Sequence, residues 1–302
     1  MASEGIQKTI ESFRQYLLLE KSLSQNTAQA YLDDTCKLAD FMTDAGLEPK
    51  DITIDHLHSF VATLADLGIA PRSIARIISG IRQYFKFLVL DGYVEQDPTE
   101  LLEAPRMGRH LPEVLSVDEI DRIIASVDLS DPLGQRNRCI LETLYSCGLR
   151  VSELCNLKLS DMYLDQEFIR VSGKGSKERL VPVSGRAIHE IELYLTDRCH
   201  IDIKPGFQDF LFLSPRLGKP LSRIMIFDIV RKHTALAGID KTVSPHTFRH
   251  SFATHLLEGG ANLRAIQCML GHEKIATTEI YTHIDRSRLR HEIEEHHPRN
   301  MR

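Results

Sequence analysis

At 302 residues the chain is long for one compact domain and ample for two cores, so two domains are expected. Charged residues are 26% and hydrophobics 42%, with no low-complexity tract, which excludes the disordered and fibrous classes. The net charge of −5 averages over unlike halves: nine Lys and Arg face sixteen Asp and Glu in residues 1–105, and twenty-eight face twenty-six in the remainder, so a polyanionic partner is not excluded.

The opening stretch MASEGIQKTIESFRQYLLLEK sets acids and glutamines among its apolar positions, unlike a signal peptide or an Arg-rich transit sequence. No later run reaches the roughly 18 apolar residues that span a bilayer, so the cytoplasm is the expected compartment, with no membrane partner. Six cysteines (Cys36, Cys139, Cys147, Cys155, Cys199, Cys268) form no CxxC pair and read as reduced, structural thiols, without a zinc site.

Apolar residues at three- and four-residue intervals predict helices over Ile10–Leu19, Ala28–Met42, Leu57–Leu67 and Ile74–Leu90, with Ser24 and Asn26 as candidate caps of the second. Residues 67–90 form the longest acid-free window of the first half. They carry Arg72, Arg76, Arg82 and Lys86, each pair four residues apart and so on one helix face. Such a stripe could track the phosphates of duplex DNA; taken alone, the window favours a solvated helix face. The proline-bearing, basic and poorly periodic Ala104–Pro112 then separates a first domain, 1–105, through a linker, 106–112, from a second domain, 113–302.

The second domain opens on Ser116-Val-Asp-Glu119, a capping box, and reads mainly helical through Leu159. Two stretches rich in β-formers, Glu167–Val171 and Glu178–Val183, flank Ser172–Lys177, whose glycines suit a hairpin. Beyond about Ser222 the pattern is helical again, broken at Gly238, Pro245, Gly259-Gly260 and Gly271. The expected class is mainly α with one small β-hairpin or sheet.

Chemistry concentrates in this second half, in Arg150, Lys174, His246, Arg249, His272 and Tyr281. Each alone has an ordinary explanation: an Arg150–Glu153 surface pair, a turn lysine, a helix-capping histidine, a satisfied polar residue, a packing aromatic. Together they supply what phosphoryl transfer without a metal requires. Two arginines can bracket non-bridging phosphate oxygens and neutralise the charge of the pentacoordinate state. A tyrosine hydroxyl, with a pKa near 10, becomes a nucleophile once a neighbour accepts its proton, for which His246 and His272 are candidates. Lys174 can return a proton to the departing sugar oxygen. His246, His250 and His255 could suggest a metal, but Thr247, Phe248 and Arg249 intervene where a zinc hydrolase would place its glutamate, so no metal is expected. Cys147 and Cys155 read as core.

The motifs that hold these residues, GLRVSEL, GKGSKERLVPV, HTFRHSFATHLLEGGANLRAIQCMLGH and TTEIYTH, resemble those of tyrosine recombinases, the phage integrase family. SLSQNTAQAYLDD resembles the start of that family's helical core-binding domain, and the ending RLRHEIEEHHPR looks like its Xer branch. The resemblance implies a SAM-like helical domain and a catalytic domain closing as a C-shaped clamp on DNA. It implies Tyr281 as nucleophile, Arg150 and Arg249 as phosphate clamps, Lys174 as general acid, His246 in proton transfer and His272 on a phosphate oxygen. The product would be a 3′-phosphotyrosyl link and then a Holliday junction, with no cofactor and no ATP. The implied partners are double-stranded DNA at a specific site, a homo- or hetero-tetramer on two duplexes that includes a paralogous Xer recombinase, and a septal DNA translocase. Chromosome-dimer resolution at cell division would be the role. The tail from Arg286 onward resembles a helix donated to a neighbouring subunit, or else packs on its own domain. Alternatives are a mobile-element integrase or excisionase, a type IB topoisomerase-like enzyme, and a catalytically silent DNA-binding protein.

Overall fold

The structure, a computed structural model, describes residues 2–105, 113–173, 178–271 and 283–300. The chain divides into two compact units, Met1–His110 and Leu111–Arg302.

Helices make up the first unit: α1 (Ala2–Gln15), continued by a π turn at Tyr16–Glu20, then α2 (Gln25–Asp44), α3 (Ile54–Asp66) and α4 (Pro71–Leu90). Their starts follow from local chemistry. Ser24 Oγ accepts from the Thr27 backbone N–H at the head of α2, whereas Asn26 lies inside that helix. Thr53 and His56 form a reciprocal cap on α3, and α4 begins at Pro71, where a missing N–H costs nothing. Phe13, Leu38, Met42, Leu57, Ile78, Phe85 and Leu88 are fully buried at the centre of this unit. Helices α2 and α4 approach closely at Gly80, where a Cβ would lie 3.0 Å from that of Asp34.

Tyr84 is fully buried beside Phe13, with ring centroids 5.3 Å apart, and its hydroxyl meets Thr9 Oγ1 at 2.6 Å. Burial pushes the phenol up to about 12, so it stays protonated and hydrogen-bonded. Tyr84→Phe is expected to lower the unfolding free energy by about 1 kcal/mol, the net worth of one such bond, because Thr9 keeps its bond to the Ile6 carbonyl. A urea midpoint unchanged from the native protein would show that the hydroxyl contributes nothing.

The second unit runs α5 (Val117–Ala125), α6 (Gly134–Cys147), α7 (Val151–Cys155), β1 (Met162–Tyr163), β2 (Phe168–Ser172), β3 (Glu178–Pro182), α8 (Gly185–Arg198), β4 (Leu213–Ser214), β5 (Lys219–Pro220), α9 (Arg223–Leu236), α10 (Pro245–Glu258), α11 (Leu263–Leu270) and α12 (His283–His296). The Ser116/Glu119 capping box opens α5 as the sequence predicts. Helix α6 forms the centre, buried along nearly its whole length between α8 and α10. Strands β1, β2 and β3 make one antiparallel sheet, with Phe168 opposite Pro182 and Val171 opposite Arg179. The hairpin expected from the sequence is therefore present, extended by β1. A second pair, β4 with β5, adds a sheet where one was expected, and α8 occupies a stretch left unassigned between hairpin and Ser222. Two-residue strands are too short to show a period of two, whereas Ala187, Ile191 and Tyr194 of α8 do follow helical spacing.

The tail packs on its own domain in this single chain. Helix α12 lies against α10, α11 and β3, burying Leu289 and Ile293, and Glu292 accepts from the Asn262 backbone at 2.8 Å. Beyond it His297 is fully buried against the rings of Tyr145 and Phe252. Among the described residues no helix is long and apolar enough to cross a membrane.

Candidate active site

Arg150 is positioned by a turn that only glycine can make. Gly148 ends α6 with φ 55°, a left-handed conformation, and a Cβ there would sit 2.4 Å from the Phe252 ring of α10. The chain thus reverses tightly over α10 and delivers Arg150 to the N-terminus of α7. There Glu153, three residues on, closes a reciprocal cap: its Oε2 accepts the Arg150 backbone N–H at 2.8 Å and its Oε1 the Arg150 Nη1 at 2.8 Å. Arg150 Nη2 donates to the Gly271 carbonyl at 3.0 Å, and the side chain remains 36% exposed.

Arg249 arrives from α10, whose start is fixed by the Ser244/Thr247 capping box. Its Nη1 donates to the Gly148 carbonyl at 2.7 Å and its Nη2 to the Leu270 carbonyl at 2.5 Å, with Glu153 Oε2 at 3.8 Å. Burial, then the nearby Arg150 charge, lowers the guanidinium to about 10, which still leaves it cationic at neutral pH. His246, exposed in the first turn of α10, lies three residues before Arg249 and on the same face.

Two residues of this arrangement were not singled out from the sequence as functional. Glu153, weighed only as a surface partner of Arg150, is 2% exposed and binds two arginines. Arg179, from β3, donates Nη1 to Glu153 Oε1 at 2.7 Å, Nη2 to Oε2 at 2.9 Å and Nε to the Met269 carbonyl at 2.7 Å. Burial pushes the Glu153 carboxyl up, but the bonds from Arg179 and Arg150 outweigh it, so Glu153 titrates below the usual carboxylate range and is ionised. The signal for Arg179 lies in strand alternation, which points it inward with Val181, a costly place for an unpaired cation. Three guanidinium groups around one carboxylate leave a net positive site whose most exposed cation is Arg150, suited to a doubly bonded anion such as a phosphodiester.

Lys174, His272 and Tyr281 lie outside the described residues. Of the other histidines, His255 is buried in the core with Nδ1 2.8 Å from the Tyr145 hydroxyl. Cys147 and Cys155 are buried, and burial raises their thiols to about 12 and about 11, values of packed thiols and not of nucleophiles. On α4, Arg72 and Lys86 are exposed. Arg76, also exposed, pairs with the fully buried Asp34, and the partly buried Arg82 donates to the Leu102 carbonyl, so two of the four cations in the predicted stripe also hold the first unit together.

Two family models match the chain: the phage integrase family over residues 113–288, and the phage integrase N-terminal SAM-like domain over residues 10–92. A curated relative, the tyrosine recombinase XerD of Chlorobaculum tepidum, is 42% identical over 304 residues, covering 98% of each chain. Among solved structures, the XerH site-specific recombinase bound to a palindromic difH substrate in a post-cleavage complex matches with a TM-score of 0.76 and 22% identity, over 97% of this chain and 96% of that one. A lambda integrase tetramer bound to a Holliday junction matches with a TM-score of 0.71 and 18% identity, over 95% of this chain and 78% of that one.

Proposed function

The chain belongs to the phage integrase family and is a XerD-like tyrosine recombinase that breaks and rejoins DNA; we propose that it does so through Tyr281, with Arg150 and Arg249 as the phosphate clamp. The observation that carries this assignment is the convergence of both arginines on Glu153 and the Gly148 and Leu270–Gly271 turns, with the Arg150 side chain still 36% exposed. The Tyr281 oxygen attacks the scissile phosphorus while the bond to the 5′ oxygen breaks. His246 assists the transfer of the phenolic proton, Lys174 protonates the 5′ oxygen, and His272 bonds a non-bridging oxygen. The ester energy is kept in the 3′-phosphotyrosyl link, and the 5′ hydroxyl of a partner strand reverses the step, giving a Holliday junction.

Residues 1–105 form the core-binding domain, with Arg72 and Lys86, and the outer donors of Arg76 and Arg82, along the phosphate backbone. Residues 106–112 link it to the catalytic domain, 113–302. The working unit is a tetramer on two duplexes with a paralogous Xer subunit, acting in the cytoplasm on chromosome dimers at cell division alongside a septal DNA translocase. Its tail, docked in cis here, is the segment assigned to exchange between subunits. The 42% identity to XerD over nearly the full length supports this housekeeping role over a mobile-element one.

The test mixes purified protein with nicked duplexes carrying candidate recombination sites and runs a denaturing protein gel beside Tyr281→Phe. The nick lets the cleaved fragment diffuse away and traps the adduct. A shifted band with the native protein alone is the expected result. If both proteins bind these duplexes and neither forms an adduct, the assignment of Tyr281 fails and a silent DNA-binding protein becomes the better reading.

A further inference from the structure

We propose that Arg179 is a positioning residue for strand cleavage: it occupies both oxygens of Glu153 and thereby keeps Arg150 and Arg249 available to the scissile phosphate. This rests on the clamp assigned above. The geometry is that of an arginine spent on support. Its side chain is 6% exposed, its fork is bidentate on Glu153, and its Nε holds the Met269 carbonyl. The same side chain packs on Gly271, where a Cβ would fall 3.1 Å from Arg179 Cδ, and the Gly271 carbonyl is the one that orients Arg150.

Without Arg179, a buried and ionised carboxylate would retain one bidentate claim, on Arg150, and would lack a partner on its other lone pairs. The nearest replacement is Arg249, whose Nη1 already stands 3.8 Å from Oε2. Closing that gap would draw Arg249 off the Gly148 and Leu270 carbonyls and turn a cation meant for the substrate onto the protein's own anion. A residue that served folding alone would instead reduce the amount of active protein without changing how it treats the charge on the phosphate.

That difference is measurable. The duplex that yields the Tyr281 adduct is made with the scissile phosphodiester or with an uncharged methylphosphonate in its place, and single-turnover cleavage is followed for native protein, Arg179→Met, Arg179→Lys and Arg249→Ala. Arg179→Met is expected to slow phosphodiester cleavage about 10- to 100-fold, somewhat less than loss of a direct oxyanion donor. Its defect should shrink on the methylphosphonate, as that of Arg249→Ala should, because less positive charge is then needed. Arg179→Lys, which keeps the charge with fewer donors, should fall between. The comparison is a ratio for one preparation, so a reduced folded fraction cancels, and the lysine variant serves if the methionine variant does not fold. Equal defects on both substrates, with Arg249→Ala rescued, would overturn the proposal. Native protein that forms no Tyr281-dependent adduct would instead overturn the clamp assignment beneath it.

Discussion

Alanine at position 249 is expected to reduce single-turnover cleavage of a nicked duplex by about 10²–10³, the loss typical when a preorganised donor to a developing oxyanion is removed. Arg249 is 11% exposed and bonded to the Gly148 and Leu270 carbonyls, so in the proposed clamp an arriving phosphate would meet a guanidinium already held in place. With a pKa of about 10 it is charged throughout the neutral range, and a bound dianionic transition state strengthens that charge further. Lysine should recover little, because a single ammonium cannot hold two carbonyls and a phosphate in one plane. Duplex binding in a mobility-shift assay should change far less than cleavage. Cleavage by Arg249→Ala within a factor of a few of native would remove Arg249 from the clamp.

The largest stability effect is expected from Arg299→Ala, near the end of the tail. Arg299 is 2% exposed, ion-paired to Asp121 and, at 2.7 Å, to Glu142, and its guanidinium carbon lies 4.9 Å from the centre of the Tyr145 ring. Glu142 is itself 5% exposed, in the middle of α6. Removing the cation leaves a buried carboxyl without its main counter-charge, a loss of about 3–5 kcal/mol in unfolding free energy. His297, which full burial lowers to about 3, is neutral and offers no replacement.

The loss should depend on pH with a definite sign. Burial raises the Glu142 carboxyl above its ordinary 4.5, and Arg299 is the main influence opposing that rise. A raised carboxyl favours the fold below about 4.5 and withdraws that support as pH climbs through its folded value. Without Arg299 the value rises further, so the gap between native and variant should widen from acid to neutral pH. Urea unfolding at about pH 4 and about pH 8 measures it; the same gap at both would show that Arg299 acts through packing and not through Glu142.

Much of the fold was legible because a helix that must bury one face writes that face at fixed intervals whatever it packs against. Leu32, Leu38 and Met42 of α2, and Ile74, Ile78, Ile81 and Phe85 of α4, are buried where their spacing put them. Caps at Ser24 and Ser116 are equally local, since donor and acceptor are three residues apart. The motifs around Arg150 and Arg249 were legible as those of the phage integrase family, whose model matches residues 113–288.

Their support was not legible. Glu153, Arg179, Gly148 and the Met269–Gly271 turn come from separate segments of the second unit, and nothing in the spacing of one segment records which carbonyl another will offer it. In the same way, helical spacing put Arg72 with Arg76, and Arg82 with Lys86, each pair on one face of α4. It did not show that Asp34, forty-two residues before Arg76, is buried beneath it. The sequence by itself determined most of the helices and the paired strands β2 and β3, and it named a candidate set of reactive side chains, since these depend on local periodicity and on residue chemistry. Only the tertiary structure decided which arginines stay partly exposed, as Arg150 does, and which are buried on protein partners, as Arg179 is, because that depends on where buried carboxylates and carbonyls come to rest.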